Sequence, residues 1–149
     1  MIKKLLLYIC FLSYFSLLLY LLFFSAYRQS VEGEIAYNLV PFWTIGAYFR
    51  SFDSFSLTDP FIGNILAFLP FGFFLPTLWK MVDSIYKAVL WTFVLSLSVE
   101  GSQFLFRVGA FDVDDLLLNT CGGGLGFGLF WFVRKTWLPS NPNGEGHTY

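Results

Sequence analysis

Four long apolar stretches divide this chain, and they restrict what it can fold into more than any other feature. They run from about Leu5 to Ala26, Phe61 to Trp79, Ala88 to Phe106 and Leu116 to Val133. Each comes close to the roughly 20 apolar residues that an α-helix needs to cross a bilayer. The rest of the sequence offers no alternative, because 56% of its 149 residues are hydrophobic and only 13% are charged. A soluble domain needs more polar surface than that. The sequence therefore predicts an all-α membrane protein, a bundle of about four transmembrane helices forming one domain over residues 1–138.

Placement of Lys and Arg sets an expected orientation. Lys3 and Lys4, Lys80 and Lys87, and Arg134 and Lys135 fall on one side of the four spans, against Arg28, Arg50 and Arg107 on the other. Both termini are thus expected in the cytoplasm. Lys3 and Lys4 before an apolar run give the first span the look of a signal peptide. Its apolar core is too long for one and no small-x-small cleavage site follows, so it reads as a retained helix. In the first outer loop, Ile35 to Phe49 is rich in Tyr and Trp but interrupted by Pro41 and Gly46. That composition predicts an interfacial or partly re-entrant segment. Residues 139–149 read as a disordered cytoplasmic tail in which the single histidine, His147, is solvated. Cys10 and Cys121 lie inside apolar segments and read as packing residues. A net charge of -1 gives no reason to expect nucleic acid as a partner.

Polar residues inside hydrocarbon are expensive, so their positions carry information. With this orientation Asn64, Glu100, Gln103 and Asn119 all fall in the outer half of the bilayer, and Asn38 and Thr44 lie in the interfacial segment. The run from Phe111 to Thr120 brings Asp112, Asp114 and Asp115 to the mouth of the fourth span. Asp112, Asp115 and Asn119 share one helical face if the helix starts early enough, and Ser96, Glu100, Gln103 and Arg107 share another. Glu100 is expected to face Asn64, Asn119 or the aspartates. Two carboxylates meeting there would share a proton or a cation. A plainer alternative stays open: Glu100 could glue helices by a hydrogen bond, and Asp114 and Asp115 could serve as an N-cap and first-turn acids.

Gly122-x-x-x-Gly126 and Gly124-x-x-x-Gly128 predict close helix packing within the bundle. Pro70 and Pro76 predict kinks in the second span. No Walker loop, His-Glu-x-x-His or Gly-x-Ser-x-Gly occurs. Any catalysis would rest on Glu100, Asp112, Asp114 and Asp115, alone or with a divalent cation held by the same four.

Four segments also resemble the motifs of a known family, the VanZ-like proteins, in the family's order. They are Asn38-Leu39-Val40-Pro41-Phe42, Asn64 to Gly72, Ser96-Leu97-Ser98-Val99-Glu100-x-x-Gln103, and Phe111 to Gly123. Gly101 and Ser102 stand where the family often has bulkier apolar residues, and the last motif is richer in glycine, but every polar motif residue is present. The resemblance implies a small multi-pass protein of the bacterial cytoplasmic membrane, of a family whose founding member is associated with teicoplanin resistance. It implies one binding site made of Asn38, Asn64, Glu100, Gln103, Asp112, Asp114, Asp115 and Asn119. Its partners would be membrane lipids, a lipid-linked cell-wall precursor or a lipoglycopeptide. A carboxylate-based hydrolase or transferase of lipid-linked substrates, and a membrane scaffold or assembly partner, are the competing expectations.

Overall fold

The computed structural model describes residues 2–24, 37–50 and 60–137. The order is α1 (Ile2–Phe23), β1 (Tyr37–Asn38), α2 (Trp43–Arg50), α3 (Pro60–Leu78), α4 (Ile85–Phe106), β2 (Phe111–Asp112) and α5 (Val113–Trp137). Four of these helices, α1, α3, α4 and α5, are long and apolar enough to cross a membrane. The expected tail and parts of the first outer loop, including Arg28, fall outside the described residues.

The helices differ from the apolar stretches at their ends, for local reasons. The fourth span was expected from Leu116, yet α5 starts at Val113 because the Asp112 carboxylate accepts the Asp114 N–H at 2.8 Å. That is an N-cap bond, which satisfies one of the amides that a helix start leaves without a partner. α4 starts at Ile85, three residues before its apolar core, and ends on Arg107 in the left-handed region (φ 57°). There the Arg107 and Val108 N–H groups return to carbonyls of the last turn. At 25 residues α5 is about 37 Å long, enough for the hydrocarbon core and part of the headgroup region.

α3 and α5 make the closest contact in the bundle, through glycine. Gly72 lies against the Gly123 backbone, Gly122 against Ile65 and Gly126 against Leu69, so closely that a Cβ at any of the three would overlap a carbonyl oxygen. Gly123 meets the Thr92 side chain of α4 in the same way. Between helices in lipid, association comes from such close van der Waals contact, since lipid tails are as apolar as leucine. The first small-x-x-x-small pair thus packs within the bundle. The second does not close a backbone contact: Gly124 touches only Val89 and Gly128 faces open space. Pro70 and Pro76 are both accommodated inside α3.

α1 joins this core from the side. Leu18 and Leu22 pack with Phe68 and Val99, and Phe11 meets Phe74 and Trp79 edge-on at 5.6 and 5.4 Å. The Tyr14 hydroxyl donates to the Ala67 carbonyl at 2.7 Å, a polar tie between α1 and α3. Outside the core, Leu5, Leu12, Leu90, Trp91, Leu125 and Phe132 stay exposed. An apolar belt of this extent suits a surface that faces lipid.

The two ends of the bundle differ in chemistry. One carries Lys3, Lys4, Lys80, Lys87, Arg134 and Lys135. The other holds the C-termini of α1 and α4, the N-termini of α3 and α5, and the segment formed by β1 and α2. There β1 pairs in parallel with β2, Tyr37 opposite Phe111 and Asn38 opposite Asp112.

Candidate functional site

Residues 37–50 have little burial to hold them, because α2 has no fully buried side chain and packs through Tyr48 and Phe49 on Phe61 of α3. Two carboxylates supply the polar ties. The first turn of a helix leaves amides without partners, and α2 has Phe42 at its N-cap position, whose side chain accepts nothing. Asp114 of α5 supplies the missing acceptor. Its two oxygens receive the Phe42 N–H at 2.6 Å, the Thr44 N–H at 2.8 Å and the Ile45 N–H at 3.1 Å. Asp114 thus caps a helix other than its own, and its side chain is wholly buried there. Phe42 sits at φ 65°, a left-handed conformation that costs a non-glycine residue about 1–2 kcal/mol. The charge-assisted bond to its N–H offsets that strain.

Asp112 makes the second tie. It accepts from Asn38 Nδ2 at 3.0 Å and from the Thr44 hydroxyl at 2.6 Å, while also capping α5. Asn38 in turn donates to Thr44 Oγ1 and accepts the Val40 N–H. Asn38, Thr44, Asp112 and Asp114 therefore form one latch between the β1–α2 segment and the start of α5.

Below the latch the polar residues pair between helices. Asn64 of α3 donates to Asp115 at 2.6 Å, and Asn119 of α5 donates to Ser96 of α4 at 2.9 Å. Gln103 Nε2 donates to the Leu22 carbonyl at 2.8 Å, meeting one of the acceptors that the end of α1 leaves open. Glu100 is 1% exposed and accepts the Asp112 N–H at 3.3 Å. Among the described residues two buried side-chain oxygens find no hydrogen-bond donor, Gln103 Oε1 and Asn119 Oδ1. Gln103→Leu strands the Leu22 carbonyl but also removes the open Oε1, so the two effects offset and stability is expected to change by less than about 1 kcal/mol. Thermal unfolding of the purified protein measures this.

All eight residues expected to form one site thus lie at one end of the bundle, but not in one ring. Asn38, Asp112 and Asp114 belong to the latch, Asn64 and Asp115 form an interhelical pair, and Glu100, Gln103 and Asn119 line the buried interior with Ser96. Two expectations need correction. Asp112 does not share the helical face of Asp115 and Asn119, because α5 begins after it and its carboxylate turns toward Asn38 and Thr44. The capping acid of α5 is Asp112, while Asp114 and Asp115 are the first-turn acids of that helix, as the plainer alternative had it. Glu100 does meet an aspartate, through the Asp112 N–H, while Asn64 and Asn119 pair elsewhere.

The expected cation cradle of Glu100, Asp112, Asp114 and Asp115 does not fit this geometry either. Among the described residues no three His, Cys, Asp or Glu side chains gather as a metal-ion site. N–H and O–H donors surround the Asp112 and Asp114 carboxylates, where a cation needs bare oxygens. Thr44, Ser96 and Tyr14 were outside the expected set. The first two were legible as hydroxyls on the right segments, whereas Tyr14 stands in a plain apolar run that gives no signal.

The VanZ/LLP1 family profile matches residues 7–134. Protein VanZ of Enterococcus faecium is 35% identical over 98 residues, which cover 66% of this chain and 54% of that protein. The chain thus matches about half the length of this curated relative. No solved structure matches the chain. The profile spans every residue of the latch and of the interior acceptors, and the chain belongs to the VanZ/LLP1 family.

Proposed function

We propose that this protein sits in the bacterial cytoplasmic membrane with both termini inside, and that its latched end receives a component of the cell envelope. In this reading the bound group is a headgroup rich in N–H and O–H donors, as on a lipid-linked cell-wall precursor or a lipoglycopeptide. Binding it lowers susceptibility to teicoplanin-type glycopeptides. One observation carries the reading: among the described residues Gln103 Oε1 and Asn119 Oδ1 are buried acceptors without donors, Gln103 lying about one turn beyond buried Glu100 on α4 and Asn119 of α5 bound to Ser96, one turn before it. A buried acceptor left open costs about 1–3 kcal/mol, and a donor-bearing ligand removes that cost. The carboxylate adds the charge that favours hydroxyl and ammonium donors.

The six basic residues at the far end support the orientation, because cytoplasmic ends of spans are rich in Lys and Arg. Glu100→Gln tests the site. The change keeps shape and a hydrogen-bonding oxygen but removes the charge. Cells producing this variant at the wild-type membrane level are expected to become as sensitive to teicoplanin as cells without the protein. Wild-type protection by the variant overturns the reading. A loss that only follows falling protein level assigns Glu100 to a scaffold instead.

A further inference from the structure

At the end of the bundle opposite the latch, a cleft of about 450 Å³ opens between the C-terminal part of α3, the α3–α4 loop and the last turns of α5. Pro76, Val82, Phe127, Phe130 and Trp131 form its apolar walls, and Lys80 and Arg134 stand at its polar side. Asp83 also lines it, but its carboxylate is engaged: Lys87 donates to it at 2.7 Å and holds it below the usual carboxylate range. With Asp83 engaged by Lys87, Lys80 and Arg134 are the basic side chains that line the cleft. The wall continues onto the exposed lipid-facing side of α5 at Trp131 and Phe132. A phosphodiester with attached acyl chains matches this layout, having an anionic group for the two cations and a chain for the apolar wall. A free anion uses only half of it.

We propose that this cleft binds the headgroup phosphate of an anionic phospholipid, with Lys80 and Arg134 as its charge partners and an acyl chain laid against Trp131. The site is separate from the latched end and independent of what binds there. Near a membrane surface each such cation changes anionic-lipid affinity by about fivefold, so the pair accounts for about thirtyfold.

The full chain in nanodiscs tests this with brominated phosphatidylglycerol or brominated phosphatidylcholine as probes, read by quenching of tryptophan emission. The brominated phosphatidylglycerol should quench at lower mole fraction, and Trp131→Phe should remove the difference. The double variant Lys80→Gln/Arg134→Gln should weaken the preference by about thirtyfold, and Lys3→Gln/Lys4→Gln, which removes as much charge elsewhere, should leave it. If the double variant does not fold, the wild-type preference must still depend on Trp131 and fall with added salt. Equal quenching by the two lipids overturns the proposal, as does a preference that survives Trp131→Phe. Displacement of the lipid by inorganic phosphate would reassign the cleft to a free anion.

Discussion

Asp114→Ala is expected to release residues 42–45 from α5 while the four long helices stay assembled. The variant deletes the acceptor for three backbone N–H groups and leaves the α2 N-terminus uncapped. Each bond to a charged acceptor contributes about 1.5–3 kcal/mol, and a buried N–H left without an acceptor costs about 1–3 kcal/mol. Asp114→Asn keeps the shape but replaces one accepting oxygen by an NH2 that faces other donors, and should cost about 2 kcal/mol. Amide hydrogen exchange reads the effect locally. Exchange at Thr44 and Ile45 should accelerate on the order of a hundredfold in the alanine variant, and amides in the middle of α5 should be unaffected. Unchanged exchange at Thr44 would show that α2 is held by something other than Asp114. The same result bears on function, since the latch positions the Asp112 backbone that Glu100 contacts.

The second large effect lies in the middle of the membrane. Gly72→Ala and Gly126→Ala each place a methyl group on a carbonyl oxygen of the facing helix, at Gly123 and Leu69 respectively. A side-chain end could turn aside, but a backbone carbonyl within a helix cannot, so α3 and α5 must move apart. The expected loss is about 3 kcal/mol or more for either variant, the upper range for overpacking. Gly128→Ala meets nothing within reach and should change stability by about 1 kcal/mol at most, toward greater stability, because alanine favours helix. Unfolding midpoints of the three variants in one detergent separate these cases. Equal midpoints for all three would contradict the glycine contact between α3 and α5.

Much of this was readable in the sequence because hydrocarbon is so unforgiving a solvent. The four spans follow from apolar length alone, and the gathering of Asn38, Asn64, Glu100, Gln103, Asp112, Asp114, Asp115 and Asn119 at one end follows from the cost of polar groups in a bilayer. Their division of labour was not readable. Whether Asp112 or Asp114 points inward depends on the residue at which α5 starts, and a shift of one residue turns a side chain by about 100°. The β1–β2 pair has two residues on each strand, too short for any alternation to show. The role of Asp114 depends on where a second helix, α2, presents its free amides, and this is a tertiary fact without a sequence pattern. The glycine pairs show a further limit, since the same spacing marks the tight contact at Gly122 and Gly126 and open space at Gly128.

The β1–α2 segment is latched to the start of α5, which holds motif residues of separate segments at one end of the bundle. Crosslinking in intact membranes tests it most directly. Tyr37 and Phe111 are paired across the two strands and lie outside the polar network. In a background of Cys10→Ser and Cys121→Ser, the pair Tyr37→Cys and Phe111→Cys should join on mild oxidation or with a short thiol linker, since neighbouring strands bring Cα atoms within disulfide range. Tyr37→Cys with Thr136→Cys, at opposite ends of the bundle, should not. Crosslinking of the first pair alone is the predicted result; its failure, or equal reaction of both pairs, would contradict the account.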